Sequence, residues 1–185
     1  DARLNLEMVE SLRIPIIYTS KDFDIIDFKA KLDRCDLLVD SLFGTGLSRA
    51  IEGIAKSLIE TVEKYDMPKI AVDIPSGIDP NTGRCMGEAI RADHTITSGY
   101  PHRGHYLYPG RKYTGKLHIV PISLPGHKDV ASEIATFTLD NKGARALLRD
   151  RPLDSHKGTF GRVGVIAGSS GHTGAAYLTS QGAQR

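Results

Sequence analysis

Two aspartates occupy matching positions in two similar segments of the chain, and their type and spacing suggest chemistry. Asp40 ends the apolar run of DLLVDSLFGTG, and Asp73 ends the apolar run of KIAVDIPSGID. Such runs are typical of buried parallel strands, and open α/β sheets bind ligands outside the carboxyl ends of their strands. Two carboxylates in one crevice either bind a cation or do acid–base chemistry. We therefore expect Asp40 and Asp73 to face one crevice, although either alone is commonly a turn or capping residue.

Small and hydroxyl-bearing residues follow both aspartates. Ser76 offers a hydroxyl and a turn carbonyl, which are hard oxygen ligands for an alkali or alkaline-earth ion. The segment GTGLSR lacks the third glycine of the dinucleotide fingerprint, because Arg49 stands in its place, and no P-loop lysine follows. A structural turn and a ligand loop are both open for it. As a ligand loop, it would lead to helix amides that hold a phosphate, with Arg49 as a second anionic contact.

The composition excludes several classes of function. The 185 residues carry a net charge of +2 with scattered basic residues, which argues against nucleic acid. We see no apolar run of membrane-spanning length and no signal peptide. Cys35 and Cys85 are too few and too distant for a disulfide scaffold or a metal knuckle. The histidines lack zinc-ligand spacing, and no serine-hydrolase elbow occurs. We expect a cytoplasmic globular protein with reduced thiols.

Apolar patterns of helical and strand type alternate along the first part of the chain. They predict helices over 2–12, 23–32 and 51–65, and strands over 14–20, 36–42, 69–74, 94–100 and 116–125. Asp22 is the predicted cap of the second helix, with Phe23, Ile26 and Ala30 facing inward. This alternation predicts an α/β fold with right-handed crossovers and a parallel sheet.

The character of the sequence changes after residue 124. We predict a linker over 125–134 and a second unit over 135–185. This unit is expected to hold a short helix capped near Asp140, a strand over 162–167, a glycine-rich turn and a helix from about Thr173. Because the sequence stops inside that helix, we expect a fragment cut at both ends.

The motifs of the first unit resemble those of the NAD(P)H-hydrate epimerase domain. They are VDSLFGTGLSR, AVDIPSGIDPNTG, ADHTIT and the YPGR segment, and the resemblance covers most of residues 1–124. It implies a Rossmann-like three-layer sandwich with a mostly parallel sheet, incomplete here. It also implies an isomerase that interconverts the R and S hydrates of NADH and NADPH at the nicotinamide C6.

The resemblance assigns roles to individual residues. Asp40 and Ser76 match potassium ligands, and Asp73 matches the aspartate that contacts the substrate, which makes it our candidate for general acid–base catalysis. The hydrate-binding loop matches Gly44, Thr45, Gly46, Leu47, Ser48, Arg49 and Ala50.

The segment SHKGTFGRVGVIAGSSGHTGAA resembles the opening of ADP- or ATP-dependent NAD(P)H-hydrate dehydratase, which has a ribokinase-like α/β fold. Gly174 and Ala175 match residues that approach the hydrate. Both segments in this order resemble the bifunctional NAD(P)H-hydrate repair enzymes, whose second activity is a lyase that removes water from the S hydrate. The implied cofactors are potassium and ADP or ATP, and the implied partner is hydrated NADH or NADPH. We expect no nucleic acid or membrane partner, and homo-oligomerisation is open.

The chain departs from the family at several points. The family's Asn-Asn-Gly-Gly-Asp-Gly turn, a source of a further potassium ligand, is not in this sequence, and a usual Lys-Pro-Gly is replaced by His102, Arg103 and Gly104. The resemblance implies that the dehydratase's catalytic aspartate lies beyond Arg185. Two other classes stay open: a nucleotide-binding module without chemistry, which would bind NADH as tightly as its hydrate, and an interaction scaffold.

We predict weak or no activity for residues 1–185 alone, because a potassium ligand and the dehydratase residues are expected outside them. A mixture of the R and S hydrates, incubated with this polypeptide and separated by chromatography, should keep its starting ratio. Clear interconversion would overturn this expectation.

Overall fold

The computed structural model describes residues 2–19, 24–123, 136–148, 150, 152–156 and 158–184. The chain divides into two compact units, Asp1–Asp129 and Val130–Arg185. Within the described residues, every helix is too short or too polar to cross a membrane.

A four-stranded parallel sheet is the centre of the first unit. Its strands are β1 (Leu38–Asp40), β2 (Lys69–Val72), β3 (His94–Ser98) and β4 (Lys116–Val120), and they lie side by side in chain order. In the register, Asp40 lies opposite Ala71 of β2. Parallel strands place their carboxyl ends at one edge of a sheet, so the segments that follow β1, β2 and β3 are neighbours. The predicted α/β class with a parallel sheet is confirmed.

Helices of the first unit connect and flank these strands. They are α1 (Ala2–Ser11), α2 (Ile25–Leu32), α3 (Gly53–Val62) and α4 (Arg111–Thr114), with a short 3-10 turn at Arg103–His105. α3 corresponds to the helix predicted over 51–65, and its apolar side chains follow the helical period. The segment between β3 and β4, for which the sequence patterns predict no helix or strand, contains two helical turns.

One face of the sheet is buried against α2 and α3. The core cluster on this side contains Leu32, Ile51, Ile59, Val62 and Ile90. Apolar side chains on the other face are exposed, namely Val39, Val72, Ile96 and Val120. Parallel sheets are normally covered on both faces. In the described residues, however, only one of the two outer layers implied by a three-layer sandwich is packed against the sheet.

The predicted strand over 14–20 is wrong for its described residues, since 14–19 form no strand. Ile17 and Thr19 line a cavity of about 410 Å³ together with Val39 of β1. A β-branched run shows that a segment fits a pleated surface, but a strand also needs a neighbour for its hydrogen bonds. Residues 14–19 do not pair with the edge of β1, and for this reason the prediction fails.

The start of α2 also differs from the prediction. Asp24 is the cap, and its side chain accepts a hydrogen bond from the backbone N–H of Ile26 at 2.7 Å. Asp22 and Phe23 lie outside the described residues. Ile26 is 72% exposed and Ala30 is also exposed, so their predicted inward positions are wrong. Phe28 and Leu32 pack into the core instead, and their i, i+4 spacing places them on one face of the helix.

The second unit contains α5 (Asn141–Leu147) and α6 (Gly174–Gln184). Asp140 caps α5 as predicted, since its carboxylate accepts from the backbone N–H of Gly143 at 2.6 Å. The strand predicted over 162–167 is wrong, because no strand occurs in the described part of this unit. A ribokinase-like fold and the domain boundaries stay predictions.

Replacing Ile59 with Ala should destabilise the first unit by about 2–5 kcal/mol, because the side chain is fully buried in the core. The same replacement at exposed Ile26 is the matched control and should change the unfolding free energy by less than about 0.5 kcal/mol. Urea denaturation followed by circular dichroism measures both. Equal losses for the two variants would contradict this placement of the core.

Candidate functional site

The segments after β1 and β2 are joined by a buried carboxylate and a buried serine. Ser76 donates its Oγ–H to Oδ1 of Asp40 at 2.6 Å and its backbone N–H to Oδ2 at 2.8 Å. Asp40 is 3% exposed and Ser76 is fully buried. The Ser76 Oγ also accepts from the backbone N–H of Phe43 at 2.8 Å. A single aspartate and a single serine thus fix the turn after β2 against the end of β1.

The turn after β2 is tight enough to require glycine at one position. Gly77 has φ +100°, and a Cβ there would lie 2.1 Å from the carbonyl oxygen of Glu88. Only glycine combines this backbone conformation with such a close approach. The order Ser76–Gly77 therefore fixes both the hydroxyl that reaches Asp40 and the turn that carries it.

Asp73 stands at the exposed side of the same turn, in a left-handed backbone conformation with φ +67°. Its backbone N–H donates to the carbonyl oxygen of Ile96 at 2.8 Å, and its side chain is 35% exposed. Aspartate and asparagine tolerate this region better than most residues. The two aspartates therefore have different surroundings: Asp40 is buried and fully hydrogen-bonded, whereas Asp73 reaches solvent.

Three side chains from β3 and the segment after it surround Asp73. Thr97 donates its hydroxyl to Oδ1 at 2.9 Å, and Nε2 of His102 lies 3.1 Å from the same oxygen. Nε2 of His105 lies 2.8 Å from the backbone carbonyl oxygen of Asp73. Burial lowers the pKa of His105 below that of an exposed histidine, with a further lowering from His102, while the hydrogen bond to the Asp73 carbonyl opposes this change.

The roles of Thr97, His102 and His105 beside Asp73 were missed in the sequence. In the sequence, His102 stands out only because the family has a lysine there. A signal was nevertheless present, because Thr97 lies on β3 and the histidines follow the carboxyl end of that strand. In a parallel sheet this end adjoins the end of β2, which carries Asp73. The histidine spacing suggested no zinc site, and it did not reveal that both rings face one aspartate.

The loop predicted to bind the hydrate follows β1 directly. A pocket of about 330 Å³ lies beside this loop. It is lined by Phe43, Leu47, Arg49, Ala50, Ile51 and Glu52. Gly44, Thr45, Gly46 and Ser48 are exposed. α3 begins only at Gly53, and Glu52 is its N-cap residue. The helix therefore does not follow the loop directly, and a carboxylate stands at its start. Phosphate binding by the helix amides stays a prediction.

Gly174 and Ala175 lie at the start of α6 in the second unit, where both are exposed. Their proposed approach to the hydrate stays a prediction.

The oxygens around Asp40 fit an alkali cation in their chemical type. Besides Oδ1 of Asp40 they include the Ser76 Oγ and the carbonyl oxygen of Phe43, which lies 3.3 Å from that hydroxyl. Carboxylate, hydroxyl and carbonyl oxygens are hard ligands. The donor set is thus suited to potassium rather than to a thiophilic metal.

Comparisons with known proteins place the chain in a family. The family model described as "YjeF-related protein N-terminus" matches residues 1–104, more than half of the chain and a range that includes Asp40, Asp73 and Ser76. Proteins named bifunctional NAD(P)H-hydrate repair enzyme Nnr are similar to it. The protein from Thermofilum pendens is 39% identical over 151 residues, which are 82% of this chain and 28% of that protein.

Two further relatives of the same name extend over nearly all of this chain. The Moorella thermoacetica protein is 33% identical over 183 residues, 99% of this chain and 34% of its own length. The Pyrobaculum aerophilum protein is 36% identical over 186 residues, 100% of this chain and 36% of its own length. The chain thus spans about a third of the length of these relatives. The resemblance inferred from the motifs is confirmed at the level of the family, and the chain belongs to the YjeF-related N-terminal family.

Proposed function

We propose that the first unit of this chain epimerises the R and S hydrates of NADH and NADPH, as part of a protein that repairs hydrated nicotinamide nucleotides. The observation that carries the proposal is Asp73, a part-exposed aspartate at the carboxyl end of a parallel strand with one carboxylate oxygen bound by protein donors. The name of the relatives, NAD(P)H-hydrate repair enzyme, supports the substrate class.

Asp73 supplies the acid–base chemistry in this proposal. Epimerisation at the nicotinamide C6 requires the C6–O bond to break and to form again on the opposite face of the ring. The ring nitrogen donates its electron pair as the hydroxyl departs as water, which leaves an iminium-like intermediate. Asp73 gives a proton to the departing hydroxyl and later takes one from the water that adds. General acid–base catalysis of this kind contributes roughly 10²- to 10⁴-fold to a rate.

Asp40 and Ser76, with the carbonyl oxygen of Phe43, would hold a potassium ion. Such an ion would supply a positive charge to the site. The pocket beside the loop then takes the nucleotide, and Arg49 is the cation on its wall that suits a phosphate.

The second activity of the relatives, implied by the word bifunctional, supports a further proposal for the whole protein. We infer that its remaining part dehydrates the S hydrate with ADP or ATP in the cytoplasm. In this chain Gly174 and Ala175 are the candidates for contact with that substrate.

Replacing Asp73 with Asn in the full-length protein should lower the rate of R-to-S conversion by roughly 10²- to 10⁴-fold. Asparagine keeps the shape of the side chain and tolerates positive φ, so the fold should be retained. The assay follows the appearance of the S hydrate from the purified R hydrate by chromatography, with circular dichroism as the check on folding.

Asp66→Asn is the matched control, since Asp66 is exposed and follows α3 rather than a strand. It should leave the rate unchanged. Normal epimerisation by the Asp73→Asn protein would eliminate the proposed role. Equal binding of NADH and its hydrate by calorimetry, without conversion, would favour a nucleotide-binding module.

Replacing Asp40 with Asn should remove the stabilisation that potassium gives to the folded protein. A ligand that binds only the native state raises its stability in proportion to the logarithm of its concentration. Thermal unfolding is compared in potassium and choline chloride at equal ionic strength. The readout is the difference between the two salts, so that a general loss of stability in the variant does not obscure it.

The exposed Asp36 precedes β1 and provides the control Asp36→Asn, which should respond to potassium as the unmodified protein does. An equal potassium effect in the Asp40→Asn protein would show that the ion binds elsewhere. No potassium effect in any of the three proteins would refute the site.

A further inference from the structure

We propose that His102 and His105 are positioning residues that hold Asp73 for the proposed reaction. His105 is a neutral imidazole that binds the backbone of Asp73, and His102 binds one oxygen of its carboxylate. The second oxygen, Oδ2, is thereby presented to the substrate. This inference rests on the proposed function in its kinetic part only.

The hydrogen bonds of His105 determine its protonation. Its Nδ1 accepts from the backbone N–H of His102 at 3.1 Å, so this nitrogen carries no proton. Its Nε2 faces the carbonyl oxygen of Asp73 at 2.8 Å, and a carbonyl oxygen only accepts, so the proton lies on Nε2. Only the neutral Nε2–H tautomer satisfies both bonds. The ring is 1% exposed, and burial disfavours the charged form in the same direction.

The close packing around His105 leaves it little freedom. The preceding residue, Gly104, donates its backbone N–H to the carbonyl oxygen of Pro80 at 2.7 Å. A Cβ on Gly104 would lie 2.5 Å from the carbonyl oxygen of Asp79. The 3-10 turn Arg103–His105 is therefore pressed against the segment after Asp73, and the imidazole of His105 reaches the Asp73 carbonyl from a fixed position.

The hydrogen bond from His105 to the Asp73 carbonyl acts on the backbone of this aspartate, which has a positive φ. Asp73 has φ +67°, a conformation that must be maintained by its surroundings. The hydrogen bonds from its N–H to Ile96 and from His105 to its carbonyl lie on either side of this torsion. Together they hold the direction in which the side chain leaves the backbone.

His102 fixes the carboxylate itself. Its Nε2 and the Thr97 hydroxyl both approach Oδ1, at 3.1 and 2.9 Å. In the step in which Asp73 takes a proton from the adding water, its carboxylate is ionised and only accepts, so Nε2 of His102 is the donor of this bond. Among the described residues no donor approaches Oδ2. Two donors on one oxygen orient the group and leave the other oxygen for the substrate hydroxyl.

The tautomer can be measured directly without any substrate. Long-range ¹H–¹⁵N spectra of the full-length protein at pH 7 should show His105 as a neutral ring protonated at Nε2. A ring protonated at Nδ1, or an imidazolium, would overturn the assignment. This measurement stands even if no epimerase activity is found, so that failure of the proposed function and failure of this inference are distinguishable.

The role of His102 is tested with a pair of variants that differ in one hydrogen-bond donor. His102→Gln keeps a terminal N–H that can reach Asp73, and His102→Leu removes it. A bond to a charged group is worth enough to change a rate roughly ten- to a hundredfold. We expect the Leu variant to lose kcat by this factor at unchanged KM, and the Gln variant to recover most of it.

His94→Leu removes an exposed histidine on β3 and is the control, which should keep the normal rate. Equal kcat for the Gln and Leu variants of His102, whether both low or both normal, would overturn the role of the donor. Thermal unfolding of the two variants should be similar, since the His102 side chain is partly exposed.

Discussion

The arrangement of the site depends on the buried pair of Asp40 and Ser76. Its two short hydrogen bonds connect the end of β1 to the turn after β2. A hydrogen bond to a charged group contributes about 1.5–3 kcal/mol, and removal of one partner leaves the other buried without compensation. Since Asp40 is almost completely buried, its carboxyl oxygens depend on Ser76 and the backbone for their hydrogen bonds. The geometry of this turn is thus fixed by a local electrostatic requirement.

This constraint assigns different tasks to the two aspartates. Asp40 satisfies its hydrogen bonds inside the protein, where it is suited to holding a turn or a cation. Asp73 lies three residues before Ser76 in the same turn. The hydrogen bonds that fix this turn therefore also fix the position of Asp73 at the edge of the sheet. Its contacts come from β3 and the segment after it, through Thr97 and His102. Burial separates the structural carboxylate from the candidate catalytic one, although both follow similar strand motifs.

Much of this arrangement was predictable from the sequence, because apolar runs and glycine turns are local signals. The parallel strands, α3 and the neighbouring strand ends all follow from them. Other features depend on contacts between distant segments. Residues 14–19 have strand-like composition, but their composition does not supply a pairing partner. Similarly, the positions of His102 and His105 beside Asp73 require the tight turn through Gly104, which a sequence pattern does not reveal.

The central claim, that Asp40 and Ser76 act as one buried unit, is tested most directly by a double-mutant cycle. The unfolding free energies of Asp40→Ala, Ser76→Ala and the double variant are compared with that of the unmodified protein. Residues in one hydrogen-bond network typically show coupling energies of about 0.5–3 kcal/mol. We predict that the double variant loses less stability than the sum of the single losses, by an amount in this range. Additive losses would contradict the account.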